Sequence, residues 1–142
     1  MKKTLFIFSI ALIFACSAFA QNVRTPAKNS KERTAILNAL RVPVEKELKQ
    51  KVQFAIQTIK VQGIWAFVNG EPQNLAGGEP NYKITKYKEV FEDGTFDNNF
   101  QALLKKTGGK WRVVTFAIGC TDVCWLGWDE EFKAPKAIFP SP

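Results

Sequence analysis

Two apolar segments joined by a glycine-bearing turn constrain the fold of this chain most strongly. Residues 100–104 and 111–118 are rich in aromatic and branched aliphatic side chains, and residues 107–109, Thr-Gly-Gly, lie between them. Strand-forming runs separated by a short segment with glycine are typical of β-hairpins. The sequence therefore predicts a long antiparallel hairpin.

The region before this hairpin predicts two further strands. Residues 52–61 alternate with a period of two, and a change of parity predicts a bulge near residues 57–58. A tight turn at residues 62–63 leads into residues 64–68, which are apolar on both faces. That strand is predicted to be central or covered, and we expect the Asn-Gly pair at residues 69–70 to end it.

An amphipathic helix is predicted ahead of the strands. Residues 21–29 are polar and predict a flexible leader, so the predicted single globular domain spans residues 30–142. Asn29 is the expected N-cap, with Glu32 three positions on, and Pro43 is expected to end or kink the helix. The apolar stripe of this helix comprises Ile36, Leu37, Leu40 and Val44.

The remaining segments complete the predicted architecture. Residues 69–81 fit neither period and predict a long loop, residues 82–91 favour a strand over a helix, and a short helix is expected within residues 120–131. One helix followed by strands predicts an α+β fold. We expect the N-terminal helix to pack on a curled antiparallel sheet of about four strands, cystatin-like or NTF2-like in shape.

The first 20 residues carry the pattern of a cleavable signal peptide. Lys2 and Lys3 precede the apolar run 5–15, and residues 18–20, Ala-Phe-Ala, supply the small-x-small cleavage pattern. The predicted localisation is export, to the periplasm or the medium, with no transmembrane segment. An alternative is a lipid anchor at Cys16, whose preceding residues fit a lipobox poorly.

Charge and composition exclude several functional classes. The chain has 20 basic and 13 acidic residues and a net charge of +7, which falls to +5 without Lys2 and Lys3. This charge is moderate and lies in mixed runs that indicate a solvated face, so no nucleic-acid partner is expected. The absence of histidine excludes Ser-His and Cys-His catalysis and histidine metal sites. No cofactor and no metal site are predicted.

Cys120 and Cys124 are the cysteines that remain after the signal peptide. In an oxidising compartment they are expected to form a disulfide that fixes the exit of the last strand. The alternative is a redox-active pair, but the spacing is not Cys-x-x-Cys.

The ligand-binding candidates follow the first cysteine. Trp125 and Trp128 either fill the core or form an exposed platform for a ligand, and Thr121 and Asp122 lie beside them. Asp122 is alternatively a helix N-cap. A pairing of Asp122 with Asp129 or Glu130 would suit carboxylate acid/base catalysis, and no residue is assigned as catalytic.

Several segments together resemble an uncharacterised family of small secreted bacterial proteins. The segment Gly-Cys-Thr-Asp-Val at residues 119–123, followed by Trp128, Pro135 and Phe139, is the most specific part of the resemblance. The other matching segments are residues 36–41, 52–54, 63–68, 102–104 and 111–114. The resemblance implies secretion but no particular activity.

These features favour an exported, non-catalytic binding or accessory protein of the bacterial envelope, whose partner is an unidentified envelope polymer or protein. An alternative is a secreted inhibitor of a hydrolase, suggested by small size, basic charge, the predicted disulfide and the cystatin-like order of the predicted strands. A third hypothesis is an enzyme that uses carboxylates alone.

Overall fold

The computed structural model describes residues 21–142. The signal peptide predicted over residues 1–20, and with it Cys16, lies outside the described residues. In chain order the elements are α1 (Lys31–Leu48), β1 (Gln53–Gln62), β2 (Trp65–Gln73), a 3₁₀ turn (Tyr82–Ile84), α2 (Lys88–Glu92), β3 (Phe100–Thr107), β4 (Lys110–Ile118), α3 (Trp128–Phe132) and a second 3₁₀ turn (Lys136–Ile138).

The four strands form one curled antiparallel sheet in the order β1-β2-β3-β4, which confirms the predicted α+β fold. The predicted hairpin is β3 and β4, which pair up to Thr107 and Lys110. The predicted bulge in β1 is also present, because the register shifts between Ile56 and Thr58. The likeness in shape to cystatin-like or NTF2-like folds stays a prediction.

Helix α1 differs from the prediction at its start and at its proline. Ser30, not Asn29, is the N-cap, and its hydroxyl accepts a hydrogen bond of 3.2 Å from the backbone N–H of Arg33. The helix continues through Pro43 to Leu48, so of the two outcomes expected at the proline, an end or a kink, the end is wrong. The fully buried side chains recur every four residues on both sides of the proline, and their packing holds both halves on the sheet. They are Ile36, Leu40, Val44 and Leu48.

The segment predicted as a leader contacts both α1 and β1. The backbone of Arg24 pairs with that of Val61, with N–O distances of 2.9 and 2.8 Å. The Arg24 guanidinium forms an ion pair with Glu32 and, by donating hydrogen bonds to it, lowers the pKa of that carboxyl. Glu32 therefore pairs with this segment instead of completing a capping box.

Strand β2 does not end at residues 69–70 but runs to Gln73. Gly70 occupies an ordinary strand position, and a Cβ there would lie 2.1 Å from the carbonyl oxygen of Ala55 on β1. Glycine thus allows a close approach of two strands beside the bulge and does not form a turn. The loop that follows is shorter than predicted, and the Asn74 side chain organises it by bonding the backbone of Ala76 and Gly78.

Residues 82–91 form a 3₁₀ turn and part of α2, so the favoured strand interpretation is wrong. The Thr85 hydroxyl donates to the carbonyl of Tyr82 and accepts from the N–H of Tyr87, which are local bonds that favour a turn. Tyr82 is fully buried, with its ring 4.5 Å from that of Phe96. Aromatic packing, not strand pairing, fixes this segment.

The sheet is covered on both faces, which explains why residues 64–68 are apolar throughout. Ala66 and Val68 face the core under α1, whereas Phe67 faces a second cluster formed with the C-terminal segment. The buried members of this second cluster are Trp65, Phe67, Leu103, Trp128, Ala134 and Ile138. Among residues 21–142 no helix is both long and apolar enough to cross a membrane.

Candidate functional site

The two tryptophans predicted as a platform have different environments. Trp128 is 8% exposed and belongs to the second cluster, so it fills the core. Trp125 is half-buried, with its ring centroid 5.9 Å from that of Phe67, and it lines two neighbouring clefts. Trp125 alone of the pair is therefore placed to contact a ligand.

Asp122 lies in a turn and not at the start of a helix, so its interpretation as an N-cap is wrong. Its Oδ1 accepts a 2.7 Å hydrogen bond from the N–H of Val123, and the short helix expected here begins only at Trp128. Thr121 and Asp122 are exposed at the rim of one cleft. Asp129 and Glu130 line the other cleft, so the suggested carboxylate pairs are not brought together in one cleft.

The disulfide between Cys120 and Cys124 is present, with a Cα–Cα distance of 6.1 Å. The side chain of Asn99 holds the same loop, because its Nδ2 donates to the carbonyl of Cys120 at 2.7 Å and its Oδ1 accepts from the N–H of Cys120 at 3.0 Å. Two constraints therefore fix residues 120–124: the disulfide and the two hydrogen bonds to Asn99, which directly precedes the start of β3.

This loop forms one wall of a cleft of about 530 Å³. The cleft lies on the face of the sheet that carries Phe67 and the second cluster, opposite α1. We call it the amide cleft, because Asn69 of β2 and Gln101 of β3 form its floor, opposite each other in the strand register. Its walls include Glu71, Asp97, Asp122 and Trp125. Clefts of roughly 300 to 1,000 Å³ are the usual size for small-molecule sites.

The floor of the amide cleft contains two unsatisfied hydrogen-bond acceptors. Oδ1 of Asn69 and Oε1 of Gln101 are buried and accept no hydrogen bond within the described part of the chain. Gln101 as a whole is only 5% exposed. A buried polar atom without a partner costs about 1–3 kcal/mol. Of the three such side-chain atoms among the described residues, two lie in this cleft, and the third is Oε1 of Gln62 at the end of β1.

The orientation of the Gln101 amide follows from its neighbour. Asn99 is oriented by its two bonds to the backbone of Cys120, so its Oδ1 faces Gln101. Only the Nε2 of Gln101 can donate to that oxygen, which it does at 3.4 Å. The unpartnered atom is therefore the Gln101 oxygen and not its nitrogen.

The buried Tyr82 supports the segment that carries Asp97. Its hydroxyl donates a hydrogen bond to Oδ1 of Asn98, which also lines the cleft. Burial raises the pKa of Tyr82, because the charged phenolate would lose its solvation. The phenol therefore remains a hydrogen-bond donor at neutral pH and keeps Asn98 in place.

The amide cleft is acidic although the protein is basic. Glu71, Asp97 and Asp122 line it, whereas no lysine or arginine does. Among residues 21–142, none of these three carboxylates has a lysine or arginine nitrogen within 4.0 Å. In the same range no group of three or more Asp, Glu, Cys or His side chains is placed to hold a metal ion.

Two other clefts lack these features. One, of about 560 Å³, lies at the end of α1, where Lys46, Lys49 and Lys86 surround Glu47; Glu47 pairs with Lys86 at 3.1 Å. The other, of about 650 Å³, lies beside the exposed Leu126 and the C-terminal residues. Neither contains a buried polar atom without a partner among the described residues.

No protein-family model, curated protein or solved structure matches the chain. The resemblance to a family of small secreted bacterial proteins stays a prediction.

The sequence reasoning missed Asn69, Glu71, Asp97 and Gln101. Of these, Gln101 carried a signal, since it is an amide inside the otherwise apolar strand segment 100–104, whereas Asn69 lies at the end of the apolar run 64–68. A polar residue at a position whose neighbours are all buried suggests a specific role. That pattern at Gln101 would have indicated part of the floor of the cleft.

Proposed function

We propose that this protein is an exported, non-catalytic binding protein of the bacterial envelope and that the amide cleft is its ligand site. The observation that carries the proposal is the pair of unpartnered acceptors, on Asn69 and Gln101, at the floor of an acidic cleft. Groups that are costly in the free protein and become satisfied in a complex are typical of binding sites.

The chemistry of the chain supports binding over catalysis. The sequence contains no histidine, and Cys120 and Cys124 are joined, so they supply no thiol nucleophile. Asp122 shares its cleft with Glu71 and Asp97 and not with Asp129 or Glu130, so the turnover assay below tests the alternative of a carboxylate-only enzyme. The rigid loop 120–124 and the tryptophan at the rim are features of a preorganised binding surface.

The experiment is a co-sedimentation and turnover assay with isolated envelope polymers, such as cell-wall sacculi. We expect saturable binding that Asp122→Asn weakens and Asp129→Asn, a matched change in the neighbouring cleft, leaves unchanged. Steady turnover of a polymer that Asp122→Ala abolishes would show an enzyme instead. Equal effects of the two asparagine substitutions would remove the amide cleft as the site.

A further inference from the structure

The amide cleft presents acceptors to a ligand. Its buried unpartnered amide atoms are both oxygens, on Asn69 and Gln101, which a ligand reaches when these side chains rotate toward the cleft. Its charged groups are the carboxylates of Glu71, Asp97 and Asp122. Carboxylates accept hydrogen bonds and donate none when ionised. A complementary ligand must therefore bring donors, and a formal charge of opposite sign.

The uncompensated charge favours a cationic donor over a neutral one. The three carboxylates lie in one cleft without a lysine or arginine partner in the described part of the chain. Asp122 is additionally held in place by the N–H of Val123. A carboxylate binds any donor through a charge-assisted hydrogen bond, but a cationic donor adds the Coulomb attraction between opposite charges.

A metal ion does not fit this arrangement as well as an organic cation. Calcium requires six to eight oxygen ligands at about 2.3–2.6 Å from one point. The described residues contain no group of three or more acidic side chains close enough to hold an ion together. The carboxylates are instead distributed around a cleft of about 530 Å³, which suits a larger molecule.

Trp125 supplies an apolar wall at the edge of the same cleft. Its indole is half-buried against Phe67 and remains accessible from the cleft side. Indole is the best aromatic partner for a cation, and its surface also packs against the carbon skeleton of a ligand. An ammonium group on a ring or alkyl stem would use both kinds of contact.

Resting on the proposed function, we infer that the amide cleft recognises a primary ammonium group carried on a sugar ring or an alkyl chain. The ammonium pairs with a carboxylate of the cleft, while hydroxyl or amide N–H groups of the same ligand supply the donors for the Asn69 and Gln101 oxygens. The carbon skeleton of the ligand packs on Trp125. An amino sugar and a lysine side chain both offer this group.

Isothermal titration of the purified protein with D-glucosamine and with Nα-acetyl-lysine distinguishes the two sources. The matched probes are N-acetylglucosamine and Nα,Nε-diacetyl-lysine, which have no ammonium group. We expect at least one amine to bind and its acetylated counterpart to bind about tenfold more weakly or worse, as for loss of a charge-assisted hydrogen bond. Higher salt should weaken binding.

The variants Glu71→Gln and Asp122→Asn keep the side-chain shape and remove charge, and each should weaken amine binding severalfold. Asp129→Asn in the neighbouring cleft is the control and should change nothing. The inference would be overturned if the amines and the acetylated probes bound equally well. It would also be overturned if Asp129→Asn weakened binding as much as the cleft variants, or if calcium bound tightly at the cleft. If envelope polymers bind at the cleft but neither amine binds, the ammonium inference fails while the proposed function stands. If polymers do not bind either, both fail.

Discussion

Replacing Gln101 by methionine tests whether the polar side chain at the floor of the amide cleft lowers the stability of the free protein. Gln101 is 5% exposed, its Oε1 accepts no hydrogen bond within the described residues, and its Nε2 makes one long bond of 3.4 Å to Asn99. Methionine is unbranched and adaptable, so Gln101→Met approximately keeps the volume and removes both polar atoms.

The expected change combines two opposing terms. Leaving a buried acceptor unsatisfied costs about 1–3 kcal/mol, whereas a hydrogen bond between neutral groups contributes about 0.5–1.5 kcal/mol, and less when long. Removing the unsatisfied acceptor stabilises the protein more than losing the long hydrogen bond destabilises it, so the free energy of unfolding should rise by about 1 kcal/mol. For a chain of this size the midpoint of thermal unfolding should rise by about 3–5 °C.

Urea unfolding followed by tryptophan fluorescence measures this change, and Gln62→Met is the matched control. Gln62 also has a buried, unpartnered Oε1, but it lies at the end of β1 and outside the amide cleft. Both variants should be more stable than the parent, but only Gln101→Met should lose amine binding. A loss of about 1 kcal/mol or more in Gln101→Met would refute the reasoning, because it would show that the oxygen is satisfied in the free protein.

Three further predictions concern the framework of the fold. Cys124→Ser removes the disulfide and should lower the free energy of unfolding in urea by about 2 kcal/mol relative to the oxidised parent. The reduced parent protein is the control and should lose the same amount. Gly70→Ala places a Cβ 2.1 Å from the Ala55 carbonyl oxygen and should cost about 3 kcal/mol or more; a cost near zero would contradict the close approach of β1 and β2. Arg24→Ala should cost less than about 1 kcal/mol at pH 7, because the pair with Glu32 is partly exposed. The pKa of Glu32 is lowered in the folded state, so this contribution is present above the unfolded pKa of about 4.3 and is lost as pH falls through the folded value. An effect that persists at low pH would contradict the assignment.

The sequence predicted the elements whose patterns are local. The hairpin of β3 and β4, the bulge near residue 57 and the apolar stripe of α1 each follow from the period of the side chains. The disulfide followed from spacing and from the expected compartment. These features needed no knowledge of which distant segments meet.

The errors arose where tertiary packing overrides a local signal. Pro43 is tolerated inside α1 because buried residues on both sides of it hold the helix on the sheet. The Asn-Gly pair at residues 69–70 usually turns a chain, but here the bulge in β1 brings Ala55 so close that only glycine fits. Tyr82 is buried by aromatic packing that the local pattern did not show.

The amide cleft depends on contacts that are distant in sequence. Asn69 and Gln101 become neighbours only through the register of β2 and β3, and Asp122 joins them because Asn99 and the disulfide hold its loop. Sequence alone therefore identified the wall, with Asp122 and Trp125, and missed the floor.

Mapping amine binding by NMR tests the central claim most directly. Titrating ¹⁵N-labelled protein with D-glucosamine and, separately, with Nα-acetyl-lysine should show at least one amine that shifts the side-chain amide signals of Asn69 and Gln101. The backbone signals of residues 120–125 should shift in the same titration and give the same dissociation constant. The signals of Lys60 and Lys136 in the neighbouring cleft should stay unchanged. Shifts confined to that neighbouring cleft, or no saturable shift at the floor of the amide cleft with either amine, would contradict the account.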